Sequence, residues 1–342
     1  METLIRASTL TGYLEVASSH KLNALALLAE VGITAGQVGD QEQRVPLAAV
    51  CRLLELSAER SGCVTFGLEM AALRQRRDVG PIGLLMSHAR TLRESLLTAE
   101  RYHHLLNDAL AIHIETVDDT VLIREEIIAS AGVQTRQATE LAVGVLSRIC
   151  RVLLGEGWRP KSVNFTHAGP ADASYHRRYF GCGVHFGREF NGIVCVAADL
   201  DAPNPAADPA LVRYAESLAA PLNAADYESI VFEVRRAIYL LLPLNEATVD
   251  GVAVKLRLSG RSLQRHLREQ GTDFIDLLSD VRHELAIRYL GNPRFPIGRI
   301  AALLGYTRQA SFTRWFIARF GKPPSVWRAE RFHPHAAPVT AS

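Results

Sequence analysis

Cysteine is scarce in this 342-residue chain, and the few that occur are scattered along it. Their number is five, and an odd count does not fit a framework of paired disulfide bonds. The cysteines therefore fit a soluble protein of the reducing cytoplasm better than a disulfide-stabilised secreted fold. The five are Cys51, Cys63, Cys150, Cys182 and Cys195.

Long apolar runs are missing as well. A helix that spans a bilayer needs about 20 predominantly apolar residues, whereas the densest run, Ile238–Leu242, is stopped by Pro243. The opening residues, METLIRASTLTGYLE, contain an early glutamate and no sustained apolar core, so they do not predict a signal peptide. We expect no association with a membrane.

The common catalytic signatures do not occur either. The chain has no GxSxG, Walker or GxGxxG sequence. The segment Cys182-Gly-Val-His185 has the spacing of a pair of metal ligands, but no second such pair accompanies it. A metal site needs three or four converging ligands. We therefore expect no enzymatic activity, no cofactor and no bound metal.

What the chain does have is an uneven distribution of charge. Its formal net charge is only +2. Residues 251–331, however, contain 15 basic and 6 acidic residues, a net charge of +9, and residues 1–250 carry −7. Such asymmetry within one chain is typical of a nucleic-acid-binding segment joined to a different domain.

The spacing of apolar residues divides the chain in the same way. Helical spacing dominates the first 110 residues, followed by a hairpin that turns at Asp118-Asp119, a helix over Thr135–Leu154 and two later strands. This pattern predicts an α+β domain over residues 1–200. Three prolines within Asp201–Pro209 mark a boundary. Further predicted segments are a linker at 201–225, an all-α domain at 226–332 and a disordered tail at 333–342.

One pattern occurs twice within the basic segment. Val252, Ala253 and Leu256 recur as Ile300, Ala301 and Leu304, each set forming the buried stripe of a short helix. Turn and cap residues follow both sets, with Ser259 and Thr307 as the expected helix N-caps. Second helices then carry the patterns Leu263-x-Arg265-x-Leu267 and Phe312-x-Arg314-x-Phe316. A short helix, a turn and a second helix with outward arginines is the helix-turn-helix pattern, whose second helix enters the DNA major groove.

A single helix is predicted between the two copies, over Asp273–Leu290. At about 1.5 Å per residue it spans roughly 27 Å. This length is comparable with the ~34 Å that separates successive major grooves on one face of a duplex. The all-α domain is thus predicted to contain two helix-turn-helix units joined by a linker helix, with reading helices at 260–270 and 308–320.

This C-terminal segment resembles the DNA-binding domain of the AraC/XylS family of bacterial transcription regulators. The densest match is Ile300–Phe316 followed by Gly321–Arg328, which keeps the family's Gly-aromatic, Phe-x-Arg-x-Phe and Gly-x-x-Pro patterns. Trp327 stands where Tyr or Phe is usual. The N-terminal 200 residues are more loosely similar to the ligand-sensing domain of one subgroup, through the stretch Leu200–Pro209. The resemblance implies a small-molecule sensor and a homodimer.

Candidate DNA contacts follow from the chemistry of the outward side chains. Arginine pairs with guanine O6 and N7, and glutamine with adenine N6 and N7; either helix, however, could contact phosphates alone. By resemblance, Arg261, Gln264 and Arg265 face the groove. The full candidate set is Arg261, Ser262, Gln264, Arg265, Arg268, Arg308, Gln309, Ser311, Arg314 and Lys322. Leu263, Leu267, Phe312, Phe316 and Trp327 are expected in the core, while Trp315 is left open.

Candidate effector contacts are the aromatic and polar residues that binding pockets commonly combine, although many cores combine them too. They are Arg90, Tyr102, His103, His104, Tyr175, Phe180 and Phe186.

The function predicted is that of an effector-responsive transcription activator that binds promoter DNA and recruits RNA polymerase. Two alternatives stay open: a repressor or ligand-independent regulator, and a small-molecule binding protein whose basic helices contact RNA or a protein.

Overall fold

The computed structural model describes residues 3–74, 80–130, 132–223 and 230–332. The chain divides into two compact units, Met1–Tyr227 and Glu228–Ser342. The predicted disordered tail, 333–342, lies outside the described residues.

The N-terminal unit is a mixed α and β structure, as the sequence predicts. Its helices are α1 (Tyr13–Ser19), α2 (Ala24–Glu30), α3 (Ala35–Gly39), α4 (Leu47–Ser61), α5 (Phe66–Leu73), α6 (Gly80–Ser87), α7 (Leu92–Arg101), α8 (His103–Leu106), α9 (Arg136–Leu154), α10 (Ser174–Phe180), α11 (Ala197–Asp201) and α12 (Pro209–Asn223). Its strands are β1 (Leu4–Arg6), β2 (Arg44–Pro46), β3 (Leu110–Val117), β4 (Thr120–Ile127), β5 (Ser162–Asn164), β6 (Gly183–His185) and β7 (Gly192–Val196).

A five-stranded sheet with the order β3-β4-β7-β5-β6 organises this unit, and a separate pair, β1 and β2, forms a small second sheet. The predicted hairpin is confirmed, because β3 and β4 pair antiparallel on either side of Asp118 and Asp119. Asp118 adopts a left-handed conformation with a φ of 55°, which tight hairpin turns require and which aspartate tolerates better than most residues.

Helix α9 is the central helix of the unit, and α5 crosses it closely. The crossing depends on Gly67, where an added Cβ would lie only 2.1 Å from the backbone oxygen of Gln137. The side chain of Gln137 accepts a hydrogen bond from the Gly67 amide at 2.8 Å. The two backbones can approach to this distance because glycine has no side chain.

Two helices predicted as continuous are interrupted. The segment predicted as one helix over 18–31 is divided between α1 and α2, because Lys21 takes a left-handed φ of 58°. The segment predicted over 91–106 is divided between α7 and α8 at Tyr102. Helical spacing of apolar residues continues across both breaks, so the pattern does not reveal them. Strands β1, β2 and β6 have only three residues each and were not predicted.

The segment predicted as a linker, 201–225, contains helix α12. This helix packs against α6, and its Ala215 and Ala219 are fully buried in a cluster with Ile82 and Met86. Its packing therefore belongs to the N-terminal unit. Pro203 and Pro205 lie between α11 and α12, and Pro209 is the first residue of α12, so the prolines interrupt regular structure only between these two helices.

The C-terminal unit is helical throughout its described residues. Its helices are α13 (Ile230–Leu241), α14 (Val249–Lys255), α15 (Gly260–Glu269), α16 (Phe274–Leu290), α17 (Ile297–Leu303), α18 (Gln309–Phe320) and α19 (Pro324–Phe332). Helices α14 and α15 form the first predicted helix-turn-helix, α17 and α18 form the second, and α16 is the linker helix between them.

The two copies end their first helices in the same way. In the first, the amides of Leu258 and Arg257 donate to the carbonyls of Ala253 and Val254; in the second, those of Tyr306 and Gly305 donate to Ala301 and Ala302. This is the Schellman arrangement, which needs a left-handed residue. The left-handed residues are Arg257, with a φ of 55°, and Gly305, with a φ of 71°.

The second turn has one more residue than the first, and its cap differs from the prediction. Ser259 caps α15 as expected, accepting a hydrogen bond from the Ser262 amide at 3.1 Å. The N-cap of α18 is Arg308, with no side-chain cap bond, so the assignment of Thr307 as N-cap is wrong. The extra residue moves the helix start beyond the threonine.

The core of this unit is close to the prediction. Leu263, Leu267, Phe312 and Phe316 are fully buried. Trp327 is only half-buried, with its ring edge-on to Phe316, so its assignment to the core is wrong in degree. Among the residues described, no single helix has the length and hydropathy of a membrane span. Helices α13 and α14 pass such a test only as a pair bent by 117°.

Candidate nucleic-acid interface and ligand cavity

Helix α15 presents a polar face opposite its buried leucines. Arg261, Gln264 and Arg268 are exposed along it. In the described part of the chain, no hydrogen bond or ion pair engages these three side chains. Ser262 is less available, because its hydroxyl lies 2.9 Å from the hydroxyl of the cap residue Ser259. The free groups are two guanidinium forks and an amide, which are the groups that bond best to base edges and phosphates.

Arg265 lies on the same helix with a weak partner. Its Nε is 3.7 Å from a carboxylate oxygen of Glu269, one turn further along, and both side chains are more than half exposed. A second contact joins it to the ring of His266 at 3.3 Å. An exposed pair of this kind contributes about 0.5 kcal/mol or less. The ion pair with Glu269 therefore holds the Arg265 side chain only weakly.

Helix α18 begins with the second group of candidates. Arg308 and Arg314 are exposed, and neither has a hydrogen bond or ion pair with any residue that the structure describes. The side chain of Gln309 lies against Gly298 of the preceding helix, where it meets any added Cβ at 2.9 Å. Ser311 is half-buried. The two arginines are the side chains of this helix best placed to reach a ligand.

The last candidate, Lys322, is held by an ion pair with Glu330. Arg328, close by, donates a hydrogen bond to the carbonyl of Phe295 at 2.8 Å, and burial lowers the pKa of its guanidinium. Arg328 is therefore a structural residue.

The linker helix α16 is joined to its neighbours by half-buried charged groups. Arg235 of α13 donates to both carboxylate oxygens of Glu284 at 2.9 Å. Two residues before Glu284 on α16, Arg282 donates to the carbonyl of Leu304 at 3.0 Å, in the turn of the second helix-turn-helix. The 17 residues of α16 make it about 25 Å long. These contacts give it the rigidity expected of a spacer between two reading helices.

The N-terminal unit contains a cavity of about 420 Å³. One wall is a stripe of α9, and the opposite walls come from β3, β4 and helices α4, α6, α7 and α8. The lining is mainly aliphatic: Ile5, Leu47, Val50, Ile82, Met86, Leu96, Ala99, Leu105, Leu106, Leu110, Ile112, Ile127, Ala138, Leu141, Ala142, Val145, Leu146 and Ile149. A volume of roughly 300–1,000 Å³ is typical of sites for small organic ligands.

Polar groups occupy part of the cavity wall. Most of them come from the end of β1, the segment that follows it and the loop before β2: Arg6, Ser8, Thr9, Gln41 and Glu42. Arg6 is paired with Glu42, and Arg74 donates to the carbonyl of Thr9. Glu125 of β4 lines the cavity from the sheet, and it is only 4% exposed.

The seven effector contacts predicted from sequence lie elsewhere, since none of them is among the residues that line this cavity. Arg90 is exposed, and its Nε donates to Glu94 at 2.8 Å. Tyr102 is buried near Met86. His103 and His104 form helix α8, with their rings edge-on at 5.5 Å.

The other three predicted contacts lie in and beside an aromatic cluster next to α9. Phe180 is fully buried, and Phe186 stacks on Phe165 at 5.6 Å between ring centroids. Tyr175 is half-buried. Within the same cluster, His176 bonds to the buried carboxylate of Glu140 at 2.9 Å. The structure thus distributes the seven residues over several places, and their role in effector binding stays a prediction.

Sequence reasoning missed the cavity residues, although one signal was present. In β4 the side chains of Val121, Ile123, Glu125 and Ile127 alternate onto the inward face. A glutamate at an inward position of a strand is unusual, because burying a carboxylate is costly. The hairpin predicted from the sequence ends at Ile123, whereas β4 continues to Ile127 and so includes Glu125.

The structure also brings together three residues with metal-ligand atoms. His20, Cys63 and Glu69 place one such atom each within 4.8 Å of the others, and they are the only group of this kind among the described residues. They satisfy one another: Glu69 bonds to His20 at 2.7 Å and accepts from Cys63 at 3.2 Å. The cluster is explained as a hydrogen-bonded group that joins α1 to α5.

Comparison with known protein families identifies both units. Residues 22–204 match the family model described as the arabinose-binding domain of AraC transcription regulator, N-term. Residues 252–330 match a helix-turn-helix domain. The first match begins before α2 and ends after α11, and the second contains both pairs of helices described above.

Similar proteins extend over most of the chain. The HTH-type transcriptional regulator VirS of Mycobacterium tuberculosis is 29% identical over 333 residues, or 96% of this chain and 97% of VirS. The ornithine utilization regulator of Pseudomonas aeruginosa is 30% identical over 261 residues, or 75% of this chain and 77% of that protein. Among solved structures, the transcriptional regulator CdpR from Pseudomonas aeruginosa is 22% identical, with a TM-score of 0.44, over 90% of this chain and 98% of CdpR.

Proposed function

Because the chain belongs to the AraC family of transcription regulators, we propose that it is an effector-responsive activator of transcription. The chain is a DNA-binding transcription regulator with an N-terminal ligand-binding domain. The proposal adds which residues contact DNA, where the effector binds, how the chain assembles and in which direction it changes transcription.

The observation that carries the proposal for DNA is the repeated helix-turn-helix with unpaired arginines on both reading helices. Arg261 and Arg268 on α15, and Arg308 and Arg314 at α18, are exposed and have no partner among the described residues. A guanidinium without a protein partner is free to bond to a base edge or a phosphate. We propose that α15 and α18 read two adjacent major grooves, with Gln264 and Arg265 adding base contacts from α15.

We propose that the effector binds in the cavity between α9 and the β3–β4 hairpin. The cavity is built mainly from aliphatic side chains of the domain whose family is described as ligand-binding. A few polar groups interrupt that lining, which is the usual composition of a small-molecule site.

We propose that the chain forms a homodimer through α12. Leu211, Tyr214 and Leu218 recur at i, i+3 and i+7 on one exposed face of this helix, and Tyr214 is 59% exposed. A stripe with this spacing is typical of a helix that packs against another helix. The adjoining face carries the buried Ala215 and Ala219, so the stripe is available to a second copy of the chain.

Activation requires a contact with RNA polymerase as well as with DNA. Support for a protein contact comes from Val254 of α14 and Ile275 of α16, which are 77% and 74% exposed. Burying such a side chain in a partner stabilises a complex by about 1.5–3 kcal/mol. We propose that RNA polymerase, in the cytoplasm, is this partner. A repressor without such a contact is the alternative.

The proposal is tested by DNA binding and transcription with the full chain. A duplex is first selected from a random-sequence library, and its affinity is then measured against unrelated duplexes and at rising salt. We expect sequence-specific competition and a steep loss of affinity with salt, because phosphate contacts release counterions. A flat salt response, or equal competition by RNA, would contradict DNA recognition. Lower transcript output with the protein present would show that it represses transcription and does not activate it.

A further inference from the structure

Among the described residues that line the cavity, Glu125 is the one carboxyl that the five-stranded sheet contributes. Its strand β4 pairs with β3 at Ile112, and Ile112 and Ile127 line the cavity beside it. One of its carboxyl oxygens, Oε2, is fully buried and has no hydrogen-bond partner among the described residues. Glu126, its neighbour in sequence, bonds instead to Asn191 at 3.3 Å.

A buried polar atom without a partner destabilises the folded protein, because it has lost its hydrogen bonds to water and gained none in return. Such groups are rare in native structures, and each calls for an explanation. When the carboxyl turns this oxygen toward the cavity, a ligand there supplies the missing hydrogen bond and removes the penalty. The position of Glu125 on the wall of a cavity that fits a small organic molecule supports that explanation.

We propose that Glu125 recognises the effector as a neutral carboxyl, donating a hydrogen bond to an oxygen of an uncharged, mainly apolar molecule such as a ketone or an alcohol. This inference rests on the proposed role of the cavity as the effector site. It adds the chemical class of the ligand and the residue that selects it.

The protonation of Glu125 agrees with this role. Burial raises the pKa of its carboxyl to about 8, and the charge of Glu126 acts in the same direction. At neutral pH the carboxyl therefore carries its proton and is a hydrogen-bond donor, whereas an ionised carboxylate only accepts.

The remainder of the lining favours an uncharged ligand over a charged one. An ammonium group at Glu125 requires that the carboxyl ionise and that both charges lose their hydration among aliphatic side chains. For an anionic ligand, the two cations of the wall are already engaged, Arg6 by Glu42 and Arg74 by the carbonyl of Thr9. An uncharged oxygen on the ligand requires neither the ionisation of Glu125 nor the release of Arg6 or Arg74 from its present partner.

Several titratable or charged groups face the cavity or Glu125, and they bear on any test that uses pH. They are Glu126 on the same strand, Cys150 on α9, and the wall residues Arg6, Glu42 and Arg74. The Cys150 thiol stays neutral over the working range, because burial raises its pKa well above the ordinary value. A variant at position 125 separates the titration of Glu125 from that of the others.

The test uses the full chain and four probes with the same eight-carbon chain: octan-2-one, octan-1-ol, octylamine and octanoate. Isothermal titration at pH 7 measures their affinities for the wild type. We expect octan-2-one and octan-1-ol to bind at one site per chain, and octylamine and octanoate to bind at least about tenfold more weakly. Equal affinities, tighter binding of a charged probe, or no binding of any probe up to its solubility limit would overturn the proposal.

Two substitutions then assign the selectivity to the carboxyl. Glu125→Gln keeps a hydrogen-bond donor of the same size and should bind octan-2-one within about threefold of the wild type. Glu125→Leu removes the donor and should bind it at least about tenfold more weakly. If Glu125→Leu binds octan-2-one as tightly as the wild type, Glu125 does not recognise the ligand. Circular dichroism and thermal unfolding establish that both variants are folded.

A pH series gives a readout that does not depend on a destabilising substitution. Between pH 7 and pH 9 the neutral fraction of Glu125 falls about tenfold, so the wild-type affinity for octan-2-one should fall about tenfold. The affinity of Glu125→Gln should stay constant over this range. Parallel losses in both proteins would contradict the proposal.

Measuring how the same protein preparations bind the selected duplex distinguishes a failure of the inference about Glu125 from a failure of the proposed function. If the duplex binds and octan-2-one occupies the cavity without regard to residue 125, the inference about Glu125 fails and the proposed regulator stands. If the duplex does not bind specifically, the proposed function itself fails.

Discussion

Arg282 of the linker helix lies over the ring of Tyr306, with its guanidinium carbon 4.4 Å from the ring centroid. The same side chain donates from Nε to the carbonyl of Leu304, two residues earlier. Burial lowers the pKa of this guanidinium, as expected for a cation within a folded core. The contact joins α16 to the turn that precedes α18, so it sets the direction in which the second reading helix begins.

Replacing Arg282 should destabilise the C-terminal unit. Arg282→Ala removes both the cation–π contact and the hydrogen bond, and we expect a loss of about 2–3 kcal/mol in the free energy of unfolding. Urea unfolding followed by tryptophan fluorescence measures it, since Trp315 lies 6.0 Å from Tyr306. Arg319→Ala is the matched control. It breaks an exposed pair with Asp280 and should cost less than about 1 kcal/mol. Equal losses would contradict the structural role of Arg282.

Replacing Arg265 should change DNA specificity. Arg265→Ala should weaken binding of the selected duplex by about 1–3 kcal/mol and relax the preference at one base pair, if the guanidinium reads a base. Titrations with single-base variants of the duplex measure this. Arg52→Ala, an exposed arginine of the N-terminal unit, removes the same charge and should leave the preference intact. A uniform loss across all duplexes would make Arg265 a phosphate contact.

Introducing a charge on the exposed stripe of α12 should dissociate the dimer. Tyr214→Glu places a carboxylate where the proposal buries an aromatic ring between two copies, so the dissociation constant should rise at least about tenfold. Sedimentation velocity over a range of concentrations measures the shift. Leu25→Glu, on an exposed position of α2, is the control and should sediment as the wild type does. A wild-type chain that is monomeric at all concentrations would rule out this interface.

The stability of the N-terminal unit should depend on pH through Glu125. Its pKa is raised from 4.5 to about 8 in the folded chain, so between these values the folded state keeps a proton that the unfolded state releases. The contribution of this group to stability therefore falls as pH rises through that range and is constant above it.

Glu125→Gln should remove this dependence. At pH 8 the variant should be more stable than the wild type by up to about 4–5 kcal/mol, because each unit of the pKa rise corresponds to about 1.4 kcal/mol, and the difference should shrink toward pH 5. Thermal unfolding at several pH values measures the profile. Glu15→Gln, at an exposed position of α1, should follow the wild-type profile. An unchanged slope in Glu125→Gln would mean that the carboxyl is ionised in the folded protein.

Gly305 should tolerate substitution less well than another left-handed glycine. At Gly305 the φ is 71° and an added Cβ would lie 3.3 Å from Leu242, whereas at Gly321 the φ is 75° and nothing lies within 4 Å. Gly321→Ala should cost about 1–2 kcal/mol from the backbone alone, and Gly305→Ala should cost more because Leu242 must move. Denaturant midpoints compare the two. Equal losses of stability in the two variants would show that the Leu242 side chain moves aside without an energetic penalty.

The C-terminal unit is the part of the fold that sequence reasoning described best. Its two reading helices begin and end within one residue of the predicted ranges, and the linker helix begins one residue later than predicted. The repeat made this possible, because each copy supplied a check on the other. The extra residue in the turn before α18 could not be predicted in this way, because a one-residue change in a turn leaves the apolar spacing of both helices unchanged.

The N-terminal unit was predicted only in outline. Long elements with a clear period, such as α9 and the β3–β4 hairpin, are where the sequence places them. The breaks at Lys21 and Tyr102 were missed, because apolar spacing alone does not report the backbone conformation at a single residue. The three-residue strands β1, β2 and β6 are too short to show a period of two.

By itself, the sequence determined the class of each unit, the position of the basic segment and the outward arginines of α15 and α18. These features depend on the spacing of apolar residues and on the charge within short stretches of the sequence, and both can be seen without knowing the fold. Only the tertiary structure decided which arginines have partners and where a ligand fits. The cavity is assembled from segments between Ile5 and Ile149, so it exists only after distant parts of the chain pack together. That packing buries Glu125 beside the aliphatic stripe of α9 and raises the pKa of its carboxyl.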